Sequence, residues 1–110
     1  MPDAAIAGKG SAAADDIRLA RTIAAGDGAA FVALMRRFNA RLYRTARSIV
    51  TEDSAAERAV ESAWLEAYRT IGRFNGETTL STWLMRIVIG EAHARLGERE
   101  RRRADPGPAA

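Results

Sequence analysis

The chain has no cysteine, one histidine, one lysine and three prolines in 110 residues. Without cysteine there is no disulfide, no thiolate metal ligand and no thiol nucleophile. With His93 alone, neither a zinc site nor a Ser-His-Asp relay can be assembled. None of the carboxylates stands in an apolar setting that would raise its pKa for acid-base work, so enzyme chemistry is not expected and no cofactor is called for. Apolar runs are short as well. None approaches the roughly 18 residues of a membrane span, and Met1 to Ala14 has no apolar stretch behind a basic leader. We therefore expect no membrane insertion and a cytoplasmic location.

What is present is arginine. Sixteen of the seventeen cations are Arg, the formal net charge is +3 and the pI is near 10.2. Forked guanidinium groups favour phosphate and carboxylate partners, so a polyanion is permitted without being required. At this length, with 47% hydrophobic residues, the chain can bury one core. No segment alternates as a half-buried strand does and no glycine-rich phosphate loop is found. The expected fold is all-α, a compact bundle of one short and three longer helices.

The patterning divides into three parts. Residues 1–14, rich in Ala and Gly, are expected to form a disordered tail; residues 15–103 form the domain; residues 104–110, ending Pro-Gly-Pro-Ala-Ala, form a C-terminal tail or the start of a linker. In the domain, Asp15 or Asp16 caps a short helix that Gly26 stops. Asp27 caps a long helix whose apolar face is Phe31, Leu34, Met35, Phe38, Leu42, Ala46 and Ile49. Ser54 and Glu57 have the spacing of a capping box and start a third helix running to about Gly72. Its inner face is Ala56, Val60, Ala63, Trp64, Ala67 and Ile71. Thr79 caps a fourth helix facing inward through Leu80, Trp83, Leu84, Ile87, Val88 and Leu96. The following Glu/Arg run, through Arg103, reads as a solvated, self-paired stretch.

The segment from Arg73 to Leu96 is the most informative. A short polar loop hands into an aromatic and arginine-bearing amphipathic helix, the layout of a single-stranded nucleic-acid reader. Trp83 and Phe74 can stack on unpaired bases, and Arg73 and Arg86 can hold the phosphates of the same strand. Asn75, Gly76, Glu77 and Thr78 can form a pocket for a base turned out of the stack. The same residues also admit a plain reading, in which both aromatics are core and the loop is an ordinary interhelical turn.

Four stretches, in order, resemble region 2 of bacterial extracytoplasmic-function (ECF) sigma factors: Ala25-Gly26-Asp27 through Phe31, Leu42-Tyr43-Arg44 through Ala46, Ala56-Glu57-Arg58 through Arg69, and Arg73-Phe74-Asn75-Gly76-Glu77 followed by Ser81 to Ile87. The resemblance implies a sigma region 2-like bundle that binds core RNA polymerase through the third helix, with Glu57, Arg58, Glu61 and Trp64 at the contact. It implies that the loop and fourth helix recognise and melt the minus-ten element of promoter DNA, with Gly90 also near the strand. An anti-sigma factor that covers both surfaces is a further implied partner. Two positions depart from the usual family pattern: Arg58 stands where an acidic residue is common, and Gly90 where Asn is common. Those departures motivate an alternative, a degenerate sigma-like module that binds polymerase or an anti-sigma factor without reading a promoter.

Overall fold

A computed structural model describes residues 4–104, with side-chain surroundings described from Ala12 onward. Four helices and one short 3-10 turn make up the described residues: α1 (Ala4–Ala24), α2 (Gly28–Arg47), α3 (Asp53–Thr70), the turn Ile71–Arg73, and α4 (Leu80–Ala104). No strand occurs among them. The expected tails fall partly outside the described residues. α1 begins at Ala4, not at Asp15, because alanine is the best helix former and an Ala-rich stretch extends the helix outward. Within the short stretch expected, Ala20 and Ile23 are buried and Ile17 and Leu19 half-buried.

Local signals explain the first boundary well. Gly26 takes φ 108°, and its N–H reaches Ile23 O while that of Asp27 reaches Thr22 O, a Schellman ending for α1. The Asp27 carboxylate then accepts from Ala30 N at 3.0 Å and opens α2. Along α2, Leu34, Phe38, Leu42 and Ala46 are buried, at the three-and-four spacing of one face. The intervening arginines are exposed, and two of them, Arg37 and Arg41, lie over the Phe38 ring with their guanidinium carbons 5.0 and 5.5 Å from its centre.

The α2–α3 link departs from expectation. The Ser54/Glu57 capping box is not made; Glu52 stands at the N-cap with no side-chain cap bond, and α3 starts at Asp53. The boundary is set instead by side chains of α2. Arg47 donates to Val50 O at 3.0 Å and to Thr51 O at 2.7 Å, and its Nε lies 2.9 Å from Asp53. The Tyr43 hydroxyl donates to the same carboxylate at 3.0 Å. Desolvation of that hydroxyl, and then the bond to Asp53, push the Tyr43 pKa above its ordinary 10.0, so it remains a donor through neutral pH. Arg47→Lys keeps the charge but loses the fork that spans three acceptors. It is expected to lower the unfolding free energy by about 1–2 kcal/mol, read as a fall in the urea midpoint with unchanged slope.

α3 buries Ala56, Ala59, Val60, Ala63, Trp64 and Ala67, and its small alanines let α4 approach closely. α4 buries Leu80, Leu84, Val88 and Ala92 against them. It runs on through the charged stretch, where Glu98 pairs with Arg95 and Arg102 along the helix, as a self-paired face should. Two contacts across to α3 and its N-cap were not legible: Arg95 donates to Ser62 Oγ at 2.6 Å, and Arg99 pairs with Glu52 at 2.5 Å. No described helix is long and apolar enough to cross a membrane.

Candidate nucleic-acid interface

The α3–α4 connection is shaped by four local devices. The 3-10 turn closes with Phe74 N donating to Ile71 O at 3.1 Å, which turns the Phe74 ring into the core, 9% exposed. Asn75 Oδ1 accepts from Glu77 N at 3.0 Å, an Asx turn that fixes the loop and leaves the Asn75 amide N–H groups for other partners. Gly76, between them, takes φ 83°. Thr79 is the local cap of α4, its hydroxyl oxygen accepting from Thr82 N at 3.0 Å.

These devices gather Arg73, Phe74, Asn75, Glu77, Thr78, Trp83 and Arg86 around a cavity of about 210 Å³. That is below the roughly 300–1,000 Å³ of pockets for drug-sized ligands, and suits one flat ring better than a whole cofactor. Trp83 forms one wall, half-buried, with its ring edge-on to Phe74 at 5.8 Å and 68°. Arg73 and Arg86 are exposed at the rim, and neither forms a salt bridge among the described residues. Glu77 adds a carboxylate acceptor. Seven of the nine residues expected to face DNA therefore line one cavity. Gly76, between Asn75 and Glu77, does not line it. Gly90 stands apart, exposed one turn beyond Arg86, with open space where a Cβ would point.

The residues expected to face polymerase divide differently. Glu57 and Glu61 are exposed on one edge of a groove of about 750 Å³ between α2 and α3, lined also by Phe31, Met35, Tyr43 and Leu65. Arg58, one residue on and so about 100° around the helix, turns away to a second cleft beside Arg95 and Arg99 of α4. Trp64 is 4% exposed and donates its Nε1–H to Asn39 Oδ1 at 2.9 Å; its ring is an inner wall of the groove and not a protruding contact. The exposed apolar groups there are Leu65 at 67% and Tyr68 at 52%. Leu65 was missed because it lies off the inward face of α3; its spacing of four from Glu61 was the available signal.

The fold and loop thus define an all-helical domain with a small arginine-flanked cavity at one interhelical junction and an apolar groove on a separate face. Residues 34–102 match the Sigma-70 region 2 family, and the chain belongs to it. Among relatives, the ECF RNA polymerase sigma factor SigM of Mycobacterium tuberculosis is 37% identical over 95 residues, covering 86% of this chain and 46% of the relative. The RNA polymerase sigma-H factor of Pseudomonas aeruginosa is 31% identical over 90 residues, covering 82% and 47%. The chain spans about half the length of these curated relatives. A solved structure of an engineered region 2 of sigmaE in complex with GTAAAA is similar with a TM-score of 0.71 and 29% identity, covering 79% of this chain and 90% of that one.

Proposed function

We propose that this chain acts as the polymerase-binding, promoter-reading domain of a sigma factor, working by binding alone and in the cytoplasm. The observation that carries this reading is the convergence of Arg73, Asn75, Glu77, Thr78, Trp83 and Arg86 on one ring-sized cavity. A base turned out of the duplex enters that cavity, where the Asn75 amide can donate and Glu77 can accept at its Watson–Crick edge. Trp83 closes one side, and Arg73 and Arg86 hold the flanking phosphates. The captured base cannot return to the stack, so binding energy is converted into local melting. The likeness to a region 2 solved in complex with GTAAAA supports a short nucleotide sequence as the ligand.

Core RNA polymerase docks on the α2–α3 groove, where the exposed Leu65 and Tyr68 provide apolar anchors and Glu57 and Glu61 provide charge selection. An anti-sigma factor that covered this groove and the loop cavity would block both activities.

Selection from a randomised single-stranded DNA pool, followed by fluorescence anisotropy on the enriched sequences, tests the promoter-reading half. A defined consensus is expected. Trp83→Ala should weaken binding to it by about 5- to 100-fold, the equivalent of one base–aromatic stack, and Asn75→Ala should relax the preference at one position. A pool that emerges without a consensus, bound equally well by both variants, would leave only the alternative of an interaction module that does not read DNA.

A further inference from the structure

The loop cavity rests on α1. Asp16 Oδ2 accepts from Leu80 N at 2.9 Å, so the first amide of α4 is capped by a residue 64 positions earlier in the chain. One residue on, the Ile17 side chain lies under Gly76: a Cβ built there would stand 2.8 Å from Ile17 Cδ1 and 3.1 Å from Cγ1. Ile17, Ala20, Arg21 and Ala24 line a crevice with the backbone stretch from Ile71 to Asn75. α1 therefore touches the loop at its glycine and at its exit into α4, while contributing nothing to the cavity wall itself.

We infer that α1 is the template of the base-receiving loop, with Asp16 and Ile17 as positioning residues for the Asn75–Thr78 pocket; this rests on the promoter-reading assignment above. The Thr79 hydroxyl satisfies only the Thr82 amide, and Asp16 satisfies the Leu80 amide, so the first turn of α4, which carries Trp83, is held both locally and from α1. The same carboxylate sits at the positive end of the α4 dipole. That end is a ready phosphate site in other helices, but here it already holds an anion, which leaves Arg73 and Arg86 to carry the strand's phosphates.

The test measures base discrimination, the ratio of affinities for the selected sequence and its single-base variants, on the full chain. Asp16→Ala should lower that ratio about fivefold, the scale of one lost helix cap. Asp16→Asn, which keeps an acceptor oxygen, should restore most of it. Asp27→Ala is the control: it removes the corresponding cap of α2, away from the loop, and should cost similar stability with discrimination unchanged. Amide exchange of Leu80, read by NMR, should quicken about fivefold in Asp16→Ala and not in Asp27→Ala. Equal discrimination in Asp16→Ala and wild type, or an equal loss in Asp27→Ala, overturns the inference. Should Asp16→Ala not fold, Ile17→Val, which withdraws the contact under Gly76, carries the comparison, and a wild-type ratio with unaltered Leu80 exchange in that variant counts against the inference. If the wild type discriminates no bases, the promoter-reading assignment fails, and Leu80 exchange still decides whether α1 holds the loop.

Discussion

Trp64→Ala is expected to lower the unfolding free energy by about 3–5 kcal/mol, the usual cost of truncating a large buried aromatic. The ring is 4% exposed, packs edge-on against Phe31 at 5.8 Å, and donates to Asn39 Oδ1. Against a typical domain stability of about 5–15 kcal/mol, that loss removes from about a fifth of the total to all of it. Trp64→Phe retains most of the ring and gives up the N–H; because Asn39 is exposed and can turn to water, about 1–2 kcal/mol is expected. Urea denaturation followed by circular dichroism measures both. Leu65→Glu is the counterpart on the same helix. Its side chain is 67% exposed, so stability should stay within about 0.5 kcal/mol of wild type, while retention of core polymerase in a pull-down should be lost. A Trp64→Ala protein that folds like wild type but fails to retain polymerase would return Trp64 to the docking surface.

The contrast between Trp64 and Leu65 marks where sequence reading reaches its limit. Features carried by spacing within one helix were legible: the buried stripe of α2, the Gly26 stop, the Asp27 cap and the inward face of α4 each depend on residues three or four apart. The loop cavity was legible for the same reason, since five of its lining residues lie between Arg73 and Thr78 and the other two follow within the first turns of α4. Contacts between elements were not. Nothing in the spacing near Asp16 points to the Leu80 amide, because that bond exists only once α1 has packed across the start of α4. The capping box at Ser54 failed by a similar override, Arg47 and Tyr43 of α2 holding Asp53 and starting α3 two residues earlier. The resemblance places Arg58 with Glu57 and Glu61, but helical rotation turns it to the cleft on the α4 side.

Gly76→Ala should destabilise the domain by about 2–5 kcal/mol, from two separable causes. A Cβ at φ 83° carries a left-handed penalty of roughly 1–2 kcal/mol, and its approach to Ile17 Cδ1 at 2.8 Å adds an overpacking cost of about 1–3 kcal/mol. Gly26→Ala isolates the first cause, because Gly26 also has positive φ, at 108°, but a Cβ there meets nothing within 4 Å. Its cost should therefore be the smaller of the two. Ile17→Val isolates the second by removing Cδ1, the atom in closest conflict. In a double-mutant cycle, Gly76→Ala with Ile17→Val should be more stable than the sum of the single effects by about 0.5–2 kcal/mol, the scale of coupling between residues in contact. Strict additivity in urea midpoints would mean that Ile17 does not press on Gly76, and Asp16 alone would link α1 to the loop's exit. A positive coupling accompanied by recovered base discrimination in the double variant would tie the shape of the loop, and not merely the stability of the fold, to the choice of base.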